Sequence, residues 1–239
     1  KFILIDAEPV DQESGKAKTG DNTAVVIFAS EQAGYLAGYS AVKDGKTQLG
    51  FMGSTKNPTI MDYGYGFLQG AEAASQEDGV SVNVKYHYCT DDDDRNSILD
   101  MTSEWYQSGT EAVFACGRQV EQPVIEAAEL NDKKIIAAET DKSQMSDTVM
   151  TSAVKDISGV LEELLKQYKS DEFPGGSAEY YNAENNGIWL DMENSRFSSF
   201  SKSQYDSIFD KIKDGSIVVK KYNSGDLSSL GLSNVSVSE

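Results

Sequence analysis

Apolar residues recur along this chain in two alternating rhythms. Short runs dense in Val, Ile, Phe and Ala give way to stretches whose apolar positions fall three or four apart. That is the pattern of buried strands alternating with amphipathic helices. The run from Phe2 to Ile5 predicts a first strand, closing at Asp6. TAVVIFAS (23–30) predicts a second, followed by a helix over EQAGYLAGYSAVKD (31–44) with small residues at Ala33, Gly34, Ala37 and Gly38. QLGFMGS (48–54) is a strand. The next stretch, 59–74, reads as a helix despite Gly64, Gly66 and Gly70. Each glycine costs a helix roughly 1 kcal/mol relative to alanine, which close approach to a sheet would offset. Further along, strands are expected at 80–88, 111–117, 133–140 and 148–154, and helices at 97–107, 120–130 and 156–170.

Beyond Pro174-Gly175-Gly176 the pattern is less regular. Asn186-Gly187 predicts a hairpin turn, 203–215 a helix stopped by Gly215, and SIVVKKY (216–222) a closing strand. Strand–helix alternation implies an α/β fold with a mostly parallel, doubly wound sheet. Such sheets bind ligands beyond the carboxyl ends of their strands. Here those ends carry Asp6, Gly53-Ser54, Gly117, Glu139 to Asp141 and Ser152, which suit a polar site and ordinary turns equally.

Charge and special residues narrow the chemistry. The net charge of −18 over 239 residues repels nucleic acid and anionic lipid, so neither is an expected partner. No window of about 18 apolar residues is present to span a membrane. Cys89 and Cys116 read as buried thiols. His87 is the only histidine, which speaks against a structural zinc site and against a catalytic triad. GxxxxGK[ST] and a helix-opening GxGxxG are both missing. The acids Asp91 to Asp94 lack the spacing of a calcium loop and read as a solvated helix start. No enzyme activity, metal or cofactor is expected.

Several segments taken in order resemble the basic membrane protein (BMP) family of ABC-transporter substrate-binding lipoproteins, which includes purine-nucleoside receptors. They are KFILID with FASEQAGYLAGYSA, LGFMGS with YGYGFLQGAEAA, IIAAETDKSQ with TSAVKD, and KIKDGSIVV. The resemblance implies a type I periplasmic-binding-protein-like fold of two doubly wound parallel-sheet lobes, the first incomplete here. Roughly 80 to 100 residues of a typical member would precede KFILID, an ordinary fraction of a domain. It places 1–45 plus 171–239 in the first lobe and 46–170 in the second. The helix-breaking DEFPGG (171–176) supports the later boundary from the residues themselves.

The function implied is capture of a nucleoside-like or related small polar ligand in the hinge cleft, for delivery to an ABC permease. The protein would stand outside the cell membrane on a lipid anchor that this chain does not contain. By position in the family's motifs, Asp6 would read the base, although an acid there also suits a loop cap. Tyr63 would stack on the purine, with Tyr65 and Phe67 nearby. Gly117, Glu139, Asp141 and Lys155 fall where relatives hold the ribose. Three departures stand out: Glu139 replaces an Asp, Arg118-Gln119-Val120 replaces a glycine-rich turn, and Lys142 follows Asp141 where relatives have Gln. Arg118 and Lys142 imply a ligand with an anionic or more polar group. The same fold also serves ligand-sensing regulators, the alternative function.

Overall fold

Each early apolar run becomes a strand in the computed structural model, which describes residues 1–222 and 227–239. The strands are β1 (Phe2–Ile5), β2 (Thr23–Phe28), β3 (Gln48–Gly53), β4 (Val82–Tyr88), β5 (Ala112–Cys116), β6 (Lys134–Glu139) and β7 (Val149–Lys155). Between and after them lie α1 (Ser30–Lys43), α2 (Pro58–Asp78), α3 (Arg95–Gln107), α4 (Arg118–Asn131) and α5 (Ile157–Lys169). Side-chain caps set several helix starts. Asn57 accepts the Ile60 amide ahead of Pro58, Asp94 accepts those of Asn96 and Ser97, and Asp156 accepts that of Gly159. Each satisfies an amide that the first helical turn leaves open.

The C-terminal region departs from two expectations. Asn186 does turn the chain with a left-handed φ of 57°, but β8 (Ala178–Tyr181) and β9 (Ile188–Leu190) do not pair as a hairpin. β8 runs parallel to β2, whereas β9 is placed next to β7. The helix over 203–215 forms as α6 (Lys202–Lys213), with a Ser201–Gln204 capping box and Gly215 at φ 78°. SIVVKKY, however, is not a strand. Its backbone is taken up by side chains of α2, Gln69 bonding both the N–H and C=O of Lys220 and Asp62 accepting from Tyr222. The last strand is instead β10 (Val235–Ser238), parallel to β4.

By its own contacts the chain divides into Lys1–Ala29 with Lys155–Ile188 (unit 1) and Ser30–Val154 with Trp189–Glu239 (unit 2). Unit 1 has a three-stranded parallel sheet, order β1-β2-β8, with α5. The larger sheet has the order β10-β4-β3-β5-β6-β7-β9. These boundaries differ from 45/46 and 170/171: α1 and the segment after Ile188 go with unit 2.

Glycine explains where α1 goes. A Cβ on Gly34 or Gly38 would stand 2.0–2.1 Å from carbonyl oxygens of Tyr63 and Phe67, and one on Gly66 or Gly70 1.9–2.0 Å from those of Glu31 and Tyr35. The two helices thus touch backbone to backbone through small residues on both. Of the α2 glycines expected to face a sheet, Gly64 does so, against Phe51 and Tyr86.

The larger sheet separates two kinds of core. Phe51 and Phe114 meet Tyr63 and Phe67 of α2 with ring centroids 5.3–6.3 Å apart, and Tyr86 stacks on Phe51 at 4.6 Å. Met52, Val113, Ala115, Ile135 and Ala137 pack with Ile98, Tyr106, Val120 and Val124 of α3 and α4. The strand period of two directs alternate residues to these opposite layers.

Candidate functional site

A cavity of about 540 Å³ opens at the carboxyl ends of β3 and β4 in unit 2. Ser54, Thr55 and Lys56 line it from the loop after β3, Tyr88 to Asp91 from the end of β4, and Gln119 from the first turn of α4. Gly117 makes the close crossing of β3 and α4 possible. Its φ is 106°, and a Cβ there would lie 2.0 Å from Ser54 Oγ, a position only glycine takes without strain. The Ser54 amide meanwhile donates to the Cys116 carbonyl at 2.9 Å.

The wall is polar and carries both signs of charge. The Lys56 ammonium lies 5.5 Å over the Tyr88 ring, and the Tyr88 and Tyr86 hydroxyls are 2.6 Å apart. Burial raises both phenols above their ordinary range, so they act as neutral hydrogen-bonding groups. Arg118 is exposed beside Gln119. Lys142 is paired with Glu121 at 3.2 Å, so its charge is locally balanced. Hydroxyls, an ammonium and a helix N-terminus can together accept a small polar or anionic group.

The residues singled out in the sequence fall into three sets. In unit 1, Asp6 and Lys155 meet. Asp6 Oδ2 is 2.6 Å from Lys155 Nζ, Asp6 Oδ1 accepts the Phe28 amide at 2.9 Å, and the Lys155 side chain is fully buried. The resemblance had assigned Lys155 to a ribose and Asp6 to a base; in this structure each engages the other. In unit 2, Tyr63 and Phe67 lie fully buried in the aromatic layer, and Tyr65 bonds the Ser229 hydroxyl. Tyr63 and Phe67 belong to the helix–sheet core, Tyr65 packs edge-on against Tyr222, and none of the three lines the cavity. Gly117 borders the cavity through Ser54. Glu139 ends β6, and Asp141 shapes the following turn by accepting from Ser143 and Asn194.

Two of the acids share an unusual backbone. Asp6 (φ 53°) and Glu139 (φ 71°) both leave their strands in the left-handed region. That region is sparsely populated by side chains other than glycine, and such residues gather at functional sites.

One grouping escaped the sequence reading. His87, Cys89 and Asp93 bring a ring nitrogen, a thiol sulfur and a carboxylate oxygen within 4.8 Å of one another. The signal was present in VNVKYHYC, because a strand period of two puts residues 87 and 89 on one face. The return of Asp93 was not readable; it comes from a turn in which Asp93 Oδ2 accepts the Thr90 amide (2.7 Å) and hydroxyl (3.1 Å). The Thr90 amide leads in holding Asp93 below the usual carboxylate range, against opposition from burial. Burial, reinforced by the charge of Asp93, pushes the Cys89 thiol up to about 12.

Parallel α/β sheets with a polar cavity at their carboxyl ends are consistent with a periplasmic-binding-protein-like fold. A solved ABC-transporter solute-binding protein from Aeropyrum pernix K1 superposes with a TM-score of 0.81 at 16% identity, covering 97% of this chain and 76% of that one. The chain belongs to the Bmp family, described as ABC transporter substrate-binding protein PnrA-like, which it matches over residues 1–223. Among curated relatives, the ABC transporter nucleoside-binding protein BmpA of Lactococcus lactis is 26% identical over 81% of this chain and 57% of its own length. The transcriptional activator protein med of Bacillus subtilis is 28% identical over 78% of this chain and 58% of its own. The chain therefore spans a little over half the length of these relatives. Among the described residues, no helix is long and apolar enough to cross a membrane.

Proposed function

We propose that this chain acts as the substrate-binding component of an ABC importer, holding a nucleoside-like or related small polar ligand without converting it. The observation that carries this reading is the polar cavity of about 540 Å³ at the strand ends of unit 2, in a chain that matches the Bmp family along nearly its whole length. The cavity lies within the size range of small-molecule sites. Tyr88 is the aromatic residue of its wall, so stacking on a flat base falls to Tyr88 in this reading rather than to the buried Tyr63, Tyr65 or Phe67. Ser54, Thr55 and Gln119 supply hydrogen bonds, and Gly117 keeps the Ser54 loop close to α4. Glu139 and Asp141 are acceptors for ligand hydroxyls, and Asp6 with Lys155 forms a second polar group at a strand end of unit 1. A permease partner and a lipid-anchored position outside the cell membrane complete the proposal.

The test is calorimetric titration of the folded protein with purine and pyrimidine nucleosides, followed by recovery of the ligand. One saturable site and an unchanged nucleoside are expected, with Lys56→Gln weakening binding about tenfold, the scale of one charge-assisted hydrogen bond. A folded protein that binds none of the panel overturns the nucleoside class, and a converted ligand overturns the non-enzymatic role. The likeness to an activator favours a second reading, a ligand-sensing regulator. Retention of a DNA fragment by the purified protein would turn the choice that way.

A further inference from the structure

The His87–Cys89–Asp93 cluster has the composition of an open metal centre. Nitrogen, sulfur and oxygen donors from three residues are the kinds of ligand that Zn²⁺ takes, and sites with three protein ligands leave a fourth position for water or another molecule. Zinc bonds of about 2.0–2.3 Å place tetrahedral ligand atoms roughly 3.4–3.6 Å apart. His87 Nε2 and Asp93 Oδ2 are already 3.4 Å apart. The Cys89 sulfur lies within 4.8 Å of both, so it has about 1 Å to close, at the expense of a weak 3.8 Å contact with the Met52 thioether.

The surroundings are built rather than accidental. Thr90 fixes Asp93 through its amide and hydroxyl, and Gln119 Nε2 holds the Asp93 carbonyl at 3.1 Å. Outer hydrogen bonds of this kind orient metal ligands. Cys89 and Thr90 also line the cavity of unit 2, which gives an ion a path to a thiol otherwise 5% exposed. His87 and Asp93 alone would make only a 3.4 Å side-chain contact; a thiol sulfur within 4.8 Å of both adds a third donor.

We propose that His87, Cys89 and Asp93 form a mononuclear site for a borderline-soft divalent cation, Zn²⁺ by its donor set, with an open fourth position. Metal binding here does not depend on which solute the cavity takes, so failure of either proposal leaves the other standing.

Cobalt(II) is the probe, because a thiolate ligand gives it a near-ultraviolet charge-transfer band and tetrahedral geometry gives strong visible bands. Titrating the reduced, metal-free protein should produce both at one equivalent, and Zn²⁺ should abolish them by displacement. Cys89→Ser should lose the charge-transfer band, and His87→Gln should weaken cobalt affinity at least tenfold. His87 is partly exposed, so His87→Gln should fold normally by circular dichroism even if the buried Cys89 variant does not. Weak octahedral bands without charge transfer would mean oxygen-only surface binding and overturn the proposal. Equal cobalt affinity in the parent and in His87→Gln would overturn it as well.

Discussion

The two units differ in how fully they cover their apolar groups. In unit 2 helices cover both faces of the sheet, and Phe51, Tyr63, Phe67, Tyr86 and Phe114 are at most 1% exposed. In unit 1 the Lys155 side chain is fully buried against Asp6, while Phe2, Leu165, Tyr168 and Tyr180 stay more than half exposed. Unit 2 is therefore held mainly by close packing, where lost volume is felt directly. Unit 1 relies in part on a charge-assisted contact at a strand end. A parallel sheet normally has both faces covered, and the apolar surface on unit 1 is where this chain departs from that rule.

Substitutions can break the comparison, the largest effect first. Phe67→Ala leaves a void in the aromatic layer and should destabilise unit 2 by about 4 kcal/mol, read by chemical denaturation. A cost below about 1 kcal/mol would mean that layer is loosely packed. Asp6→Ala removes hydrogen bonds to the Lys155 ammonium and the Phe28 amide, and should cost about 2 kcal/mol. If denaturation is unchanged, the unit 1 pair is not a stabilising element.

A smaller effect should follow pH. Burial pushes Glu72 up, but the Ser233 hydroxyl and the amides of Ser233, Asn234 and Val235 outweigh it and hold Glu72 below its ordinary 4.5. A lowered folded-state pKa contributes stability above pH 4.5 that is lost as pH falls through the folded value. Thermal midpoints of the parent and Glu72→Gln should differ at neutral pH and converge in acid. A gap that persists below the folded value would assign the contact to something other than charge. Least of all, Leu165→Gln on the exposed face of α5 should change stability by no more than about 0.5 kcal/mol. A large loss would show that this face is covered in solution.

Much of the fold was legible from the sequence because buried parallel strands and amphipathic helices leave strong local patterns. The carboxyl-end rule likewise points to Ser54, which lines the cavity, and to Gly117 beside it. Less legible were features decided by distant partners. Asn186-Gly187 turns the chain as such a pair should, yet the flanking strands join different sheets. Val218 and Val219 have the composition of a strand, but side chains on α2 take up the neighbouring backbone at Lys220 and Tyr222. Tyr63, Tyr65 and Phe67 stand in a motif that suggests stacking, yet helix register sends Tyr63 and Phe67 beneath the sheet and Tyr65 against Tyr222.

What the sequence determined by itself was the order of strands and helices from β1 through α5, the small-residue faces of α1 and α2, and the polar character of the strand ends. Periodicity and backbone sterics act within a few residues, so they are written locally. Only the tertiary structure decided that Lys155 turns to Asp6, that α1 joins unit 2, and that His87, Cys89 and Asp93 converge. Each depends on groups brought together by chain folding, whose distances no local pattern encodes.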